Sequence, residues 1–212
     1  NNYAKFKGSR ADDWLDYSKP EGVRENYWSL IFVPDMRSVT KNDKYNETWL
    51  AMSDWITENA QKENIKHVIA GGSYSNNNGE AGYKRALKGL SLFSNDISWS
   101  ALAGNLDYKA NTGVRDPSLY QKYLGKSAID STAASAYYSG SFKDSARVSA
   151  TENSYYRFNV NHVKWMILQL EAYPRQSVLD WAKSVLSQHP DDNVIFTTSE
   201  YIGADGNYSV SD

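Results

Sequence analysis

The sequence has no cysteine, which excludes disulfides, zinc–thiolate sites and a cysteine nucleophile. It has only three histidines, His67, His162 and His189, and no two stand at metal-ligand spacing. No apolar run approaches the roughly 18–20 residues of a membrane-spanning helix, and the mean hydropathy is −0.65. An excess of either charge is also missing. The 23 Lys and Arg against 25 Asp and Glu give a net charge of −2, so there is no global drive toward nucleic acid or anionic lipid. The first residues, Asn1-Asn2-Tyr3, are neither an initiator Met nor a signal peptide, so the chain is expected to be a processed or trimmed piece.

What is present is enough for a core. The 212 residues are 41% hydrophobic and 14% aromatic, with 7 Trp and 16 Tyr, which excludes disorder as the main state. The length fits one domain over 1–212, with 1–27 as an N-terminal extension. Such a chain buries roughly 70% of the surface its unfolded form exposes and folds without a staple. A Ser/Asn/Tyr-rich, cysteine-free surface suits an extracellular or cell-surface protein. Asn46-Glu-Thr48 and Asn207-Tyr-Ser209 are formal glycosylation sequons, a triplet that arises by chance in a chain this rich in Asn and Ser.

Hydrophobic periodicity alternates between strand and helix. Residues 28–33 form an apolar run stopped by Pro34, and 47–64 carry Trp49, Met52, Ile56 and Ala60 near one helical face. A second strand is expected at 67–70, a helix at 80–93 and a third strand at 97–103. That order implies a parallel sheet with right-handed crossovers, and ligands in such sheets sit beyond the carboxyl ends of the strands. The segments 34–40, 71–79 and 104–109 are therefore the ones to inspect. Periodicity fades over 109–154, a Ser/Tyr-rich stretch expected to be a surface excursion apart from a helix at 118–124. Two β-rich runs, 155–160 and 163–170, flank Asn161-His162 as a two-residue hairpin turn. A helix capped by Ser177 and a strand at 193–198 close the pattern.

The stretches Phe32-Val-Pro-Asp-Met-Arg37, Val68-Ile-Ala-Gly-Gly-Ser-Tyr-Ser-Asn-Asn-Asn78, Ala103-Gly-Asn-Leu-Asp-Tyr108, Val163-Lys-Trp-Met-Ile-Leu-Gln-Leu-Glu171 and Val194-Ile-Phe-Thr-Thr-Ser199 come in this order at the strand ends. In order and spacing, over about residues 28–208, they resemble the calcineurin-like metallophosphoesterases, in particular a bacterial branch whose first motif reads Pro-Asp-Thr-Gln. The resemblance implies an α/β fold, a metallophosphoesterase-like β-sandwich flanked by helices, with the last strands missing from this chain. It also implies two divalent metals that bind phosphate and activate a water. Asp35 matches the first ligand Asp. Arg37 stands where the branch has Gln, and a guanidinium cannot ligate a cation. Ser73 replaces the bridging Asp, and Asn76 the second Asp of that motif. Asn105 matches a ligand Asn, Leu106 takes the place of the general-acid His, and Asp107 is left without the His it would orient. Ser199 stands where a metal-ligating His is expected.

With most ligands replaced, the expectation is a catalytically inactive member with no cofactor, acting as a structural or binding module of a larger, extracellular protein. Its partner would be another domain, a protein chain or a carbohydrate. The rival is an active phosphoesterase with a rearranged or single-metal site; an engineered or fragmentary form is the third. Arg37 is expected to fill the former metal region and bond Asp35, Asn105 or Asp107, alternate residues at a strand end sharing a face. The 71–79 loop could cradle an anion with help from Arg37, but no Walker-type Lys-Ser/Thr follows, which favours an ordinary loop. Trp49, Trp55, Trp165 and Trp181 are expected in the core rather than as sugar platforms. Tyr137, Tyr138 and Phe142 could anchor a binding face or simply pin the excursion down.

Overall fold

The computed structural model describes residues 27–75, 79–93, 97–108, 115–143, 150–200, 202 and 206. Its chain order is β1 (Ser29–Pro34), α1 (Arg37–Thr40), α2 (Asp43–Asn59), β2 (Ile65–Gly71), α3 (Glu80–Leu90) and β3 (Ser98–Ala101). A 3-10 turn (Asn105–Asp107), α4 (Ser118–Leu124), α5 (Lys126–Asp130), a second 3-10 turn (Ala133–Ala136) and β4 (Tyr138–Ser141) follow. The chain then runs through β5 (Ser154–Val160), β6 (Val163–Leu170), α6 (Gln176–Gln188) and β7 (Asn193–Thr198). Apart from Tyr27, the expected N-terminal extension lies outside the described residues, as does the Asn207 sequon.

Two sheets form. Strands β1, β2 and β3 are parallel in that order, and β4, β5, β6 and β7 make a mixed sheet in which only β6 and β7 are parallel. The β5–β6 turn is the two-residue Asn161-His162 hairpin, with φ of 51° and 66°. Left-handed values at both positions are what a type I′ turn demands. Helix α2 starts earlier than its apolar pattern indicates, because the Asn42 side chain accepts from Tyr45 N and caps a polar first turn.

The faces of the sheets place the core. Val68 and Ala70 of β2 pack with Trp49 and Ile56 of α2 and Tyr83, Ala86 and Leu90 of α3. On its other face β2 sends Ile69 against Tyr156, Phe158, Val160 and Ile167 of the second sheet. The second sheet's far face, Met166, Leu168 and Leu170, is covered by Val178, Ala182 and Val185 of α6. The result is a mixed α/β arrangement of two facing sheets with helices outside both, as the 2- and 3.6-residue periods require.

Three expectations need correction, one of them the Ser177 cap: α6 begins at Gln176 with Arg175 as its N-cap and no side-chain cap bond. The described part of 109–154 is not simply a surface excursion: Tyr120, Leu124, Ala128, Ile129 and Ala134 are buried in the first core. Tyr137 stacks on Phe158 at 4.9 Å and Phe142 meets Trp181 edge-on at 5.9 Å, so these aromatics pin the segment down. Trp49 is fully buried, but Trp55 is 40% exposed on α2. The Asn46 side chain is buried, with its amide directed at Val39 O and Arg85 O, so the folded domain does not present that sequon. Among the described residues no helix is long and apolar enough to cross a membrane.

Candidate functional site

Parallel pairing brings the carboxyl ends of β1 and β2 side by side, with Pro34 opposite Gly71. The loops beyond them are tied together by the backbone: Met36 N donates to Gly72 O at 3.0 Å and Leu102 N to Ala70 O at 2.8 Å. Ala172 N donates to Ala103 O at 3.2 Å, joining the end of β6 to the loop after β3. Left-handed backbone gathers at these loops, at Asp35 (φ 32°), Gly72 (88°), Ser73 (55°) and Tyr173 (50°). Non-glycine residues hold such angles only where the surroundings over-determine them.

Asp107 is what over-determines Ser73. Its carboxylate is fully buried and accepts from four donors. Oδ2 accepts from Ser73 N at 2.7 Å and Gly104 N at 2.8 Å; Oδ1 accepts from Tyr74 N at 2.9 Å and the Tyr83 hydroxyl at 2.9 Å. Burial pushes its pKa up to about 6, against the pull of these donors, so it is ionised at neutral pH. The residue expected to lack a partner is thus fully engaged, and its partners are backbone amides in place of an imidazole. A Cβ on Gly104 would lie 2.6 Å from Ser73 Oγ, 2.7 Å from Ser73 N and 3.2 Å from Ser199 Oγ, so Ser73, Gly104 and Ser199 meet closely. Only glycine fits there.

Asp35 and Arg37 form the expected pair. Arg37 Nε donates to both carboxylate oxygens at 2.8 Å, Nη2 also reaches Oδ2, and the Arg37 backbone N–H donates to Oδ1 at 3.0 Å. These bonds hold the Asp35 carboxyl below its usual range. Both side chains are 44% exposed, so this is a rim pair and not the buried cluster that would replace a metal centre. Asn105 is exposed and Leu106 half-buried on the same 3-10 turn; Asn76 lies outside the described residues.

Glu171 is another buried carboxylate, and no sequence motif points to it. Arg175 Nε donates to it at 2.8 Å, Asn153 Nδ2 at 3.0 Å, and Arg115 lies 3.5 Å away. Arg115 also donates to Ala172 O and Tyr173 O, each at 2.7 Å. The i, i+4 spacing of Glu171 and Arg175 was the one local signal of this network.

These residues do not fit the two metals that the resemblance implies. The Asp35 oxygens are taken by Arg37, those of Asp107 by four donors, and Ser73 and Ser199 offer neutral hydroxyls. Among the described residues no three His, Cys, Asp or Glu side chains group to hold an ion. His67 lies between the sheets, His162 in the hairpin turn and His189 at the end of α6.

No protein-family model matches the chain. It is 26% identical over 193 residues to the "Uncharacterized protein YvnB" of Bacillus subtilis (strain 168), an overlap of 87% of this chain and 14% of that protein. The chain therefore spans a small part of the length of the curated relative it matches.

Proposed function

We propose that this domain is a metallophosphoesterase-like sandwich that has given up metal-dependent hydrolysis and serves as a structural or binding module of a larger, extracellular protein. The observation that carries the reading is the state of its two strand-end carboxylates. Asp35 is neutralised by Arg37, and Asp107 is spent on Ser73, Tyr74, Tyr83 and Gly104. Neither has a lone pair facing a shared centre, and no imidazole stands ready to protonate a leaving group. The greater length of the Bacillus relative supports a module within a longer protein. The facing sheets with helices outside both support the fold part of the reading.

The rival, a phosphoesterase with a rearranged or single-metal site, draws on the exposure of Asp35 and Asn105 at one rim. One experiment separates the two. Protein purified without chelator is analysed for Mn, Fe and Zn and assayed on chromogenic phosphomonoesters and phosphodiesters. No stoichiometric metal and no turnover above a buffer blank are expected. Turnover that follows the protein through purification and vanishes with Asp35→Ala would establish the rival.

A further inference from the structure

A cavity of about 320 Å³ opens between the α1–α2 corner and the first turn of α3, at the small end of the range for ligand sites. Its walls carry three cations, Arg37, Lys41 and Arg85, with Thr40, Ser75, Gly79 and Ala81 between them. No carboxylate lines it among the described residues. We infer that this cavity binds a tetrahedral oxyanion, a phosphoryl or sulfuryl group, and that this is the ligand chemistry of the domain. The inference goes beyond the loss of hydrolysis, since binding here needs no metal and no reaction.

The donors point to that class. Arg85 is three-quarters buried and fixed: Nε donates to Asp43 at 2.8 Å, and Nη1 donates to Thr40 O at 3.1 Å and Lys41 O at 3.4 Å. Among the described residues no bond uses its Nη2. Arg37 spends Nε and Nη2 on Asp35, which leaves Nη1. Lys41 has no ion-pair partner among the described residues. The compensating carboxylates stand outside the cavity lining, Asp43 being 94% exposed, and Glu80 is turned to Lys122 and Lys84. Helix α3 begins at Gly79 without a side-chain cap; Ser75 Oγ accepts from Gly79 N at 2.9 Å and Gly82 N donates to Gly79 O at 3.2 Å, so the N–H groups of Glu80 and Ala81 are the ones with no bond among the described residues. Two guanidinium-bearing residues, a lysine and a helix start line the cavity from separate walls. A planar carboxylate could meet two of them at once; an ion with three or four oxygens can meet all.

The test is calorimetric titration of the whole chain with inorganic phosphate and with sulfate at low ionic strength, repeated with Lys41→Gln and Arg85→Lys. Both ions are expected to bind, about tenfold more weakly to each variant, with the loss in Arg85→Lys reporting the fork rather than the charge. Lys126→Gln, on α5 and outside the cavity lining, should bind as the unaltered protein does. Glycerol 3-phosphate and phosphatidylglycerol vesicles separate a soluble phosphate ester from a lipid headgroup, and either is accepted if Lys41→Gln weakens it. No binding of either inorganic ion, or binding indifferent to both variants, overturns the inference. Vesicle binding without binding of either ion also overturns it, in favour of diffuse surface attraction. None of these outcomes depends on metal content or turnover, so the proposed loss of catalysis stands or falls separately.

Discussion

His67 makes the acid stability of this domain a measurable property of one side chain. It sits between the sheets, fully buried, near-parallel to Phe158 at 6.4 Å and tilted over Tyr156 at 5.3 Å. Nε2 bonds the Ser100 hydroxyl at 2.9 Å, and no carboxylate is among these contacts to stabilise a charged ring. Burial lowers its pKa from 6.5 to about 3. A depressed histidine pKa means that the unfolded chain binds the proton first, so stability falls as pH drops from 6.5 toward 3. At 1.36 kcal/mol per unit, the loss reaches about 2 kcal/mol at pH 5 and about 5 kcal/mol below pH 3. Against the roughly 5–15 kcal/mol of a whole domain, that is decisive. Asp107 works in the opposite direction: its raised pKa of about 6 adds stability as pH falls through 6 toward 3.8 and partly masks the effect. The assay therefore compares urea unfolding of the unaltered protein and His67→Phe at pH 7.5, 6, 5 and 4, reading tryptophan fluorescence. Phenylalanine fills the aromatic stack and cannot titrate. The difference between the two should shift by about 2 kcal/mol in favour of His67→Phe between pH 7.5 and 5. A difference independent of pH would refute the reasoning.

Two further outcomes concern the strand ends. Asp107→Ala orphans three backbone N–H groups at about 1–3 kcal/mol each, so it should cost at least about 3 kcal/mol in urea unfolding. Tyr83→Phe, which removes one donor and leaves the carboxylate three others, should cost about 1 kcal/mol; equal losses would sink the idea of a latch. Arg37→Ala should lower stability by less than about 1 kcal/mol, because the Asp35 pair is half exposed. A loss near the roughly 3–5 kcal/mol typical of a half-removed buried pair would contradict that exposure.

The sequence made local features legible and hid those built from distant backbone. Helix α4 at 118–124, strand β7 at 193–198 and the Asn161-His162 turn fall where periodicity and turn chemistry place them. The Asp35–Arg37 pair is legible as two close residues, but not by a shared strand face: β1 ends at Pro34, Asp35 is left-handed and Arg37 opens α1, so the pair closes across a turn, and its exposure depends on which loops cover the rim. Residues 127–141 read as surface since Ser and Ala carry no apolar period; Ala128, Ala133 and Ala134 are nevertheless buried, small residues being suited to close packing. In the sequence Asp107 reads only as a residue without its partner. Two of its four partners are N–H groups 33 and 34 residues away, and backbone donors look identical at every position of a sequence. Glu171 is hidden by separation alone, its side-chain partners Asn153 and Arg115 lying far along the chain.

Asp107 and Glu171, both buried, explain why an end of the fold with so few charges to hold an ion is still well determined. Asp107 fixes the loop after β2 to the loop after β3, through Ser73, Tyr74 and Gly104. Glu171 fixes the end of β6 to Asn153 and Arg175, and Ala172 N crosses to Ala103 O, so the second sheet is fastened to the same loop. An ion recruited to Asp107 would have to strip four donors and leave three N–H groups buried without an acceptor, at about 1–3 kcal/mol each. The latch and a metal centre therefore compete for the same oxygens. What the latch secures is position: it holds Ser73 and Tyr74 at the start of the loop that reaches Ser75, while the bond from Met36 N to Gly72 O holds the corner that carries Arg37 and Lys41. Those are two walls of the cationic cavity. In the proposed reading the strand ends are the rigid frame of a binding site beside them, and Asp107, with Ser73 and Gly104, is part of that frame.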